Sequence, residues 1–132
     1  MCGSQTFRIL IVDDIIDNLF LLQTLLEAEG YQVDTADNGR AALVKVEASP
    51  PDLILMDVMM PDMNGYEITK EIRQNQNVPF IPILMVTAYE DANDIQGLAM
   101  GANDFIRKPI EIDLLLSRVA EFLQFRQQAT SS

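Results

Sequence analysis

Short apolar runs rich in isoleucine, leucine and valine alternate along this chain with longer segments whose apolar residues recur at helical spacing. Strands buried on both faces read as continuous apolar runs, and a helix that covers a sheet shows a one-sided stripe. The alternation therefore predicts repeated βα units around a parallel sheet. The first strand is expected at about 7–12, followed by a helix at about 15–29 with Leu19, Leu22 and Leu26 on one stripe and Gly30 as its left-handed stop. Tyr31 to Ala36 alternates polar and apolar, as a half-buried edge strand does. Asn38-Gly39 turns into a second helix, about 40–48, which Pro50-Pro51 closes. A third strand at 53–56 leads through Met60-Pro61-Asp62-Met63-Asn64-Gly65 into a helix at about 66–74, and a fourth strand follows at about 81–86. The fourth helix, about 91–100, is the weakest, with Gly97 inside it and few large apolar residues, and is expected to be the most mobile. Asn103 to Arg107 gives a short fifth strand. Ile112, Leu115, Leu116, Val119, Phe122 and Leu123 give the last helix a continuous apolar stripe. The expected organisation is one (βα)5 domain over 7–126, with residues 1–6 and the polar tail 127–132 disordered.

Four of the apolar runs end in polar residues of one chemical set. Arg8-Ile9-Leu10-Ile11-Val12 runs into Asp13-Asp14, Leu53-Ile54-Leu55-Met56 into Asp57, Ile83-Leu84-Met85-Val86 into Thr87, and Asp104-Phe105-Ile106-Arg107 into Lys108-Pro109. In an open α/β sheet, ligands bind outside the carboxyl ends of the strands, where the strand order reverses. If these runs are parallel strands, three carboxylates, one hydroxyl and one ammonium share one edge. Carboxylates packed that closely repel by about 4 kcal/mol per pair at 4 Å and an effective dielectric near 20, so they need a cation or a raised pKa. An all-oxygen donor set suits Mg2+, with Mn2+ as an alternative. A carboxylate beside such an ion can also act as a nucleophile towards a phosphoryl group, and Asp57 on the central strand is the best placed. Lys108 would then pair with the phosphoryl oxygens and Thr87 donate a hydrogen bond. Taken singly, Asp14 reads equally well as a helix cap, Thr87 as a turn hydroxyl and Lys108 as a surface lysine.

Composition narrows the classes. The chain of 132 residues carries a formal charge of −11, and no Lys/Arg cluster is present to meet a nucleic-acid backbone. It has no histidine, which removes histidine-based catalysis, His-rich metal sites and phosphorylation of its own histidine. The single Cys2 allows no intrachain disulfide, and neither a signal peptide nor a long apolar span is present, so a soluble cytoplasmic protein away from membranes is expected.

The combination of Val12-Asp13-Asp14, Leu53 to Asp57 with the 60–65 loop, Val86-Thr87-Ala88, Gly101-Ala102-Asn103-Asp104-Phe105 and Lys108-Pro109 resembles the receiver domain of two-component response regulators, similar to stand-alone chemotaxis-type regulators. The likeness covers about 7–123. It implies a flavodoxin-like three-layer sandwich with a five-stranded parallel sheet of order 2-1-3-4-5. Asp57 would be the phosphoacceptor, taking its phosphoryl group from a phosphohistidine on a histidine kinase or phosphotransfer protein. Asp14, Asp57 and the backbone carbonyl of Met59 would ligate Mg2+, with Asp13 acting through a water. Thr87, Lys108 and the Ala88 backbone amide would contact the phosphoryl oxygens. Thr87 and Phe105 would be the switch pair, signalling through the surface of the fourth helix, fifth strand and fifth helix to an output protein. Tyrosine often stands where this chain has Phe105, so a rotating ring would remain without its hydroxyl. Met59 and Tyr89 stand two residues beyond Asp57 and Thr87, where large side chains imply slow loss of the phosphoryl group.

Such a domain is a signalling switch and no conventional enzyme, although it supports its own phosphorylation and dephosphorylation. A pseudo-receiver that is never phosphorylated is disfavoured by the intact acidic set. A dehalogenase-type phosphatase would need an aspartate where Met59 stands, and nucleotide binding lacks a Gly-rich fingerprint or Walker lysine. The chain reads either as a single-domain regulator or as part of a longer protein. The end of the last helix, Phe122-Leu123-Gln124-Phe125-Arg126, reads equally as a homodimer face, a continuing linker helix or core packing of Phe122.

Overall fold

The computed structural model describes residues 7–58, 60, 63–87, 103–107 and 110–131. Among the described residues are five strands, β1 (Arg8–Val12), β2 (Gln32–Ala36), β3 (Leu53–Asp57), β4 (Ile83–Thr87) and β5 (Asp104–Arg107). They form one sheet of order β2-β1-β3-β4-β5, every neighbouring pair parallel. The described helices are α1 (Ile16–Ala28), α2 (Gly39–Ala48), α3 (Gly65–Gln74) and α4, the C-terminal helix (Ile112–Ser131). The expected helix at 91–100 lies outside the described residues.

The period of two in the strands sorts side chains into two cores, which makes the third layer necessary. Ile9, Ile11, Leu53, Leu55, Leu84 and Ile106 point to one face and pack with Leu19, Leu22 and Leu26 of α1 and Leu115, Val119 and Leu123 of α4. Leu10, Val12, Ile54, Met56, Ile83 and Met85 point to the other and meet Ala42 and Val46 of α2 and Ile68 and Ile72 of α3. β3 is buried along its whole length, whereas edge strand β2 alternates exposed and half-buried positions up to Ala36. Gly30 ends α1 with φ +96, the left-handed conformation in which glycine avoids the Cβ penalty.

Two side-chain networks brace the sheet at the end where its strands begin. Arg8 donates to the carbonyls of Pro50 and Ser49, while its backbone N–H meets Asp52 Oδ2 at 2.8 Å. Arg73 of α3 donates to the Ile81 carbonyl and to Asn103 Oδ1, stacks over Phe80, and is held below its ordinary pKa by burial. Asn103 Oδ1 also accepts from Ile83 N–H, so one amide ties α3 to the starts of β4 and β5. At the far side Arg118 of α4 pairs with Asp104.

The last helix departs from expectation. Residues 127–131 are helical and continue α4 to Ser131, where a disordered tail was predicted. The stretch Arg126-Gln127-Gln128-Ala129 consists of good helix formers, and neither glycine nor proline intervenes to stop the helix.

Candidate functional site

The parallel register places the ends of β1 and β3 side by side. Val12 pairs with Met56, so Asp13 and Asp57 emerge as neighbours at the carboxyl edge. Both are deeply buried, Asp13 at 4% exposure and Asp57 at 3%, although each follows or ends an apolar strand. Asp14 is more accessible. One carboxylate oxygen from each of the three lies within 4.8 Å of the others, and this is the one group of potential metal ligands of its kind among the described residues.

Local structure fixes Asp13 firmly. Its backbone N–H donates to the Ala36 carbonyl at 3.1 Å, extending the β1–β2 ladder by one bond. Its Oδ1 accepts from Ile15 N–H at 2.9 Å and its Oδ2 from Asn18 Nδ2 at 3.2 Å. The side chain thus occupies the turn into α1, whose N-cap Ile15 has no side chain able to cap. Asn18 was not anticipated. Its only signal in the sequence was a polar amide in the first turn of a helix that follows an aspartate.

The segment after Asp57 is secured from α3. Val58 donates to the Val86 carbonyl at 3.1 Å and its own carbonyl accepts from Gly65 N–H at 3.0 Å. Asn64 and Glu67 form a reciprocal capping box, with Asn64 Oδ1 accepting from Glu67 N–H at 2.9 Å and Glu67 Oε1 from Asn64 N–H at 3.0 Å. An asparagine three residues before a glutamate is the usual sequence signature of that box, so this feature was legible.

Of the other predicted site residues, Thr87 ends β4 one position past the Asp57–Val86 pair and stands opposite Arg107 in the β5 register. Phe105 lies on β5 next to Met85, half-buried against the core beneath α2 and α3. Met59, Ala88, Tyr89, Lys108 and Pro109 lie outside the described residues.

Beside Asp13 a cleft of about 270 Å³ runs between α1 and the start of α4, lined by Asn18, Leu21, Leu22, Leu25, Ile110 and Ile112. Leu21 and Ile112 of that lining are exposed, and elsewhere Ile15, Ile16 and Phe20 in and before α1 and Leu114 of α4 also expose apolar side chains, Phe20 most of all at 71%.

Three clustered carboxylates with few cations nearby among the described residues repel one another, and a hard divalent cation with oxygen preference fits this donor set. Such an edge, on a five-stranded parallel sheet covered on both faces, defines the class. The description "Response regulator receiver domain" matches residues 9–120, and the chain belongs to that family, the phosphoacceptor modules of two-component signalling. The chain is 42% identical over 120 residues to "Response regulator PleD" of Caulobacter vibrioides, a match covering 90% of this chain and 26% of that protein. It is 46% identical over 118 residues to the "Transcriptional regulatory protein CpxR homolog" of Haemophilus influenzae, over 89% of this chain and 50% of that one. The chain therefore spans half or less of these curated relatives. Among solved structures, chemotaxis protein CheY4 of Vibrio cholerae superposes with a TM-score of 0.85 at 35% identity, over 90% of this chain and 100% of that one. A CheY-like receiver domain from Methanospirillum hungatei gives 0.88 at 33% identity, over 95% and 99%.

Proposed function

We propose that this domain accepts a phosphoryl group on Asp57 from the phosphohistidine of a histidine kinase or phosphotransfer protein, and in response changes a protein-interaction surface. The observation that carries this is the Asp57 carboxylate, buried at the end of the central strand with oxygens of Asp13 and Asp14 within 4.8 Å. In the transfer an Asp57 oxygen forms a bond to phosphorus as the phosphorus–nitrogen bond breaks, and the leaving imidazole keeps the electron pair and takes up a proton. Mg2+, or Mn2+ in its place, would supply the positive charge that lets a dianionic group approach three carboxylates. Asp14, Asp57 and the Met59 carbonyl would hold it. Asp13 would act through a water, in keeping with oxygens that already accept from Ile15 and Asn18.

Thr87, Lys108 and the Ala88 amide would receive the phosphoryl oxygens. Phe105, half-buried beside Met85, would relay from that site to the surface formed by the fourth helix expected at 91–100, β5 and the C-terminal helix α4. An output protein would read this surface, with a second copy of the chain as one candidate reader. The exposed Leu21 and Ile112 in the cleft at Asp13, with the exposed Ile15, Ile16 and Phe20 in and before α1, support a protein donor seated against this helix. The domain would support its own phosphorylation and dephosphorylation without turning over a metabolite. A cytoplasmic location goes with a donor charged from ATP. No helix among the described residues is long and apolar enough to cross a membrane.

The test is Mg2+-dependent labelling of the protein by acetyl phosphate. Asp57→Ala is expected to abolish it, and labelling of that variant at the wild-type level would remove Asp57 as the acceptor.

A further inference from the structure

The geometry points to Gly65 as a positioning residue for Asp57, one that acts by having no side chain. This rests on Asp57 being the phosphoacceptor. Gly65 is the first residue of α3 and is buried against the end of β3. A Cβ built on it would stand 2.6 Å from the Asp57 carbonyl oxygen, 3.0 Å from Val58 Cα and 3.1 Å from Met56 Cγ. Two of those atoms are backbone, and the closest belongs to the proposed phosphoacceptor itself. Contacts under 3.0 Å are essentially never found for real Cβ atoms, so one side must move.

Which side moves decides the matter, and α3 is the better fastened. Gly65 N–H is bonded to the Val58 carbonyl at 3.0 Å, and the Gly65 carbonyl accepts from Thr69 Oγ1 at 2.8 Å. The Asn64–Glu67 box closes the same turn from outside. Tyr66, Ile68, Thr69 and Ile72 are buried, which resists withdrawal of the helix from the sheet. β3 is paired on both sides through Met56, whereas past Met56 its backbone ladder continues to β4, through the Asp57–Val86 pair and the Val58-to-Val86 bond, with Val58 tied besides to Gly65 itself. A methyl group at position 65 therefore displaces the peptide after Asp57 and carries its carboxylate away from Asp13 and Asp14. Bare backbone contact between Gly65 and Asp57 holds that carboxylate in register with its two neighbours.

Mn2+ affinity of the full chain, read from free Mn2+ by electron paramagnetic resonance, tests this without reference to phosphorylation. Gly65→Ala is expected to weaken Mn2+ binding by about 10- to 100-fold, the usual range for losing the support behind a metal ligand. Gly30→Ala is the control for destabilisation alone. Its strain comes from φ +96 with nothing within 4 Å, at the opposite end of the sheet, and it is expected to bind Mn2+ as the wild type does. An affinity for Gly65→Ala within about threefold of wild type, or an equal loss in Gly30→Ala, overturns the inference. If Gly65→Ala does not fold, Asn64→Ala decides, because it loosens the same helix start and adds no atom near Asp57. A smaller loss in the same direction supports the assignment and wild-type affinity overturns it. Wild-type protein that is never labelled at Asp57 would instead fail the phosphoacceptor reading, whatever the variants bind.

Discussion

Asp13→Asn removes one charge from the acidic cluster while keeping its shape, and without divalent cation it is expected to stabilise the fold. Asp13, Asp14 and Asp57 place carboxylate oxygens within 4.8 Å of one another. At that separation two unit charges repel by about 3.5 kcal/mol at an effective dielectric near 20, and by about 0.9 kcal/mol in bulk water. The Asp13–Asp57 pair, with both members buried, lies nearer the first figure, and the pair with the more accessible Asp14 nearer the second. Against this stand the charge-assisted bonds that Asp13 accepts from Ile15 N–H and Asn18 Nδ2. An asparagine keeps the first and, after a flip of the Asn18 amide, the second, at a loss of about 1 kcal/mol or less each. The difference leaves a net gain of about 2–3 kcal/mol, or a rise in Tm of about 6–12 °C for a domain of this size. Thermal unfolding followed by circular dichroism in EDTA and again in saturating Mg2+ measures it. The gain should shrink or reverse with Mg2+, since the cation stabilises only the folded wild-type site. A variant less stable than wild type in EDTA would show that hydrogen bonding outweighs repulsion here. A gain of the same size in both buffers would show that no cation binds between these groups.

Two further outcomes follow from peripheral features. Lys45 Nζ meets Asp34 Oδ1 at 2.9 Å on the surface between β2 and α2, with side chains 40% and 49% exposed. Partial burial pushes the Asp34 carboxyl up, but hydrogen bonds from Lys45 and the Thr35 N–H, with the charges of Lys45 and Arg8, hold it below its ordinary 3.8. A depressed carboxyl contributes stability above the unfolded value that fades as pH falls through the folded one. Lys45→Met is thus expected to cost about 0.5 kcal/mol at pH 7 in urea titrations, with less effect below pH 3.8; a cost that grows on acidification would refute this. Phe20→Ala, at an exposed position of α1, is expected to slow phosphotransfer from a kinase about tenfold or more and leave labelling by acetyl phosphate unchanged. Equal slowing with both donors would place Phe20 in the fold and not in a docking surface.

Much of this architecture was legible because burial on both faces demands unbroken apolar runs. Ile9 to Val12, Leu53 to Met56 and Ile83 to Val86 could be placed without structure, and the period of Leu19, Leu22 and Leu26 identified the inner face of α1. Asp13, Asp14 and Asp57 stood out only jointly, since a single carboxylate after an apolar strand reads equally well as a helix cap, whereas three at matching strand ends are brought within 4.8 Å. What escaped were relations between backbone and backbone or between polar groups distant in sequence. The Asn103 amide that joins Arg73 to Ile83 leaves no periodic trace, and the close backbone contact of Gly65 with Asp57, which leaves no room for a Cβ, depends on the angle at which α3 meets β3. The exposed Ile112 stood on the predicted stripe of the last helix, but at the first turn the helix has not yet reached the sheet and the side chain borders the cleft instead. The length of α4 was missed because polar residues with good helix propensity look alike in a helix and in a tail.

The apolar face of α1 also bears on how copies of this chain behave towards one another. Ile16, Phe20 and Leu21 are the kind of side chains that make a protein adhesive, although exposed Asp17 and Thr24 lie among them. The molecule nonetheless carries a charge of −11, and like-charged particles hold each other off over about 10 Å at 0.1 M salt. Colloidal repulsion between identical chains then acts beside the chemistry of the face itself in setting what the face meets. It disfavours another copy and admits a surface of opposite sign, so that selectivity of contact is written into the overall acidity of the chain as much as into the residues that touch.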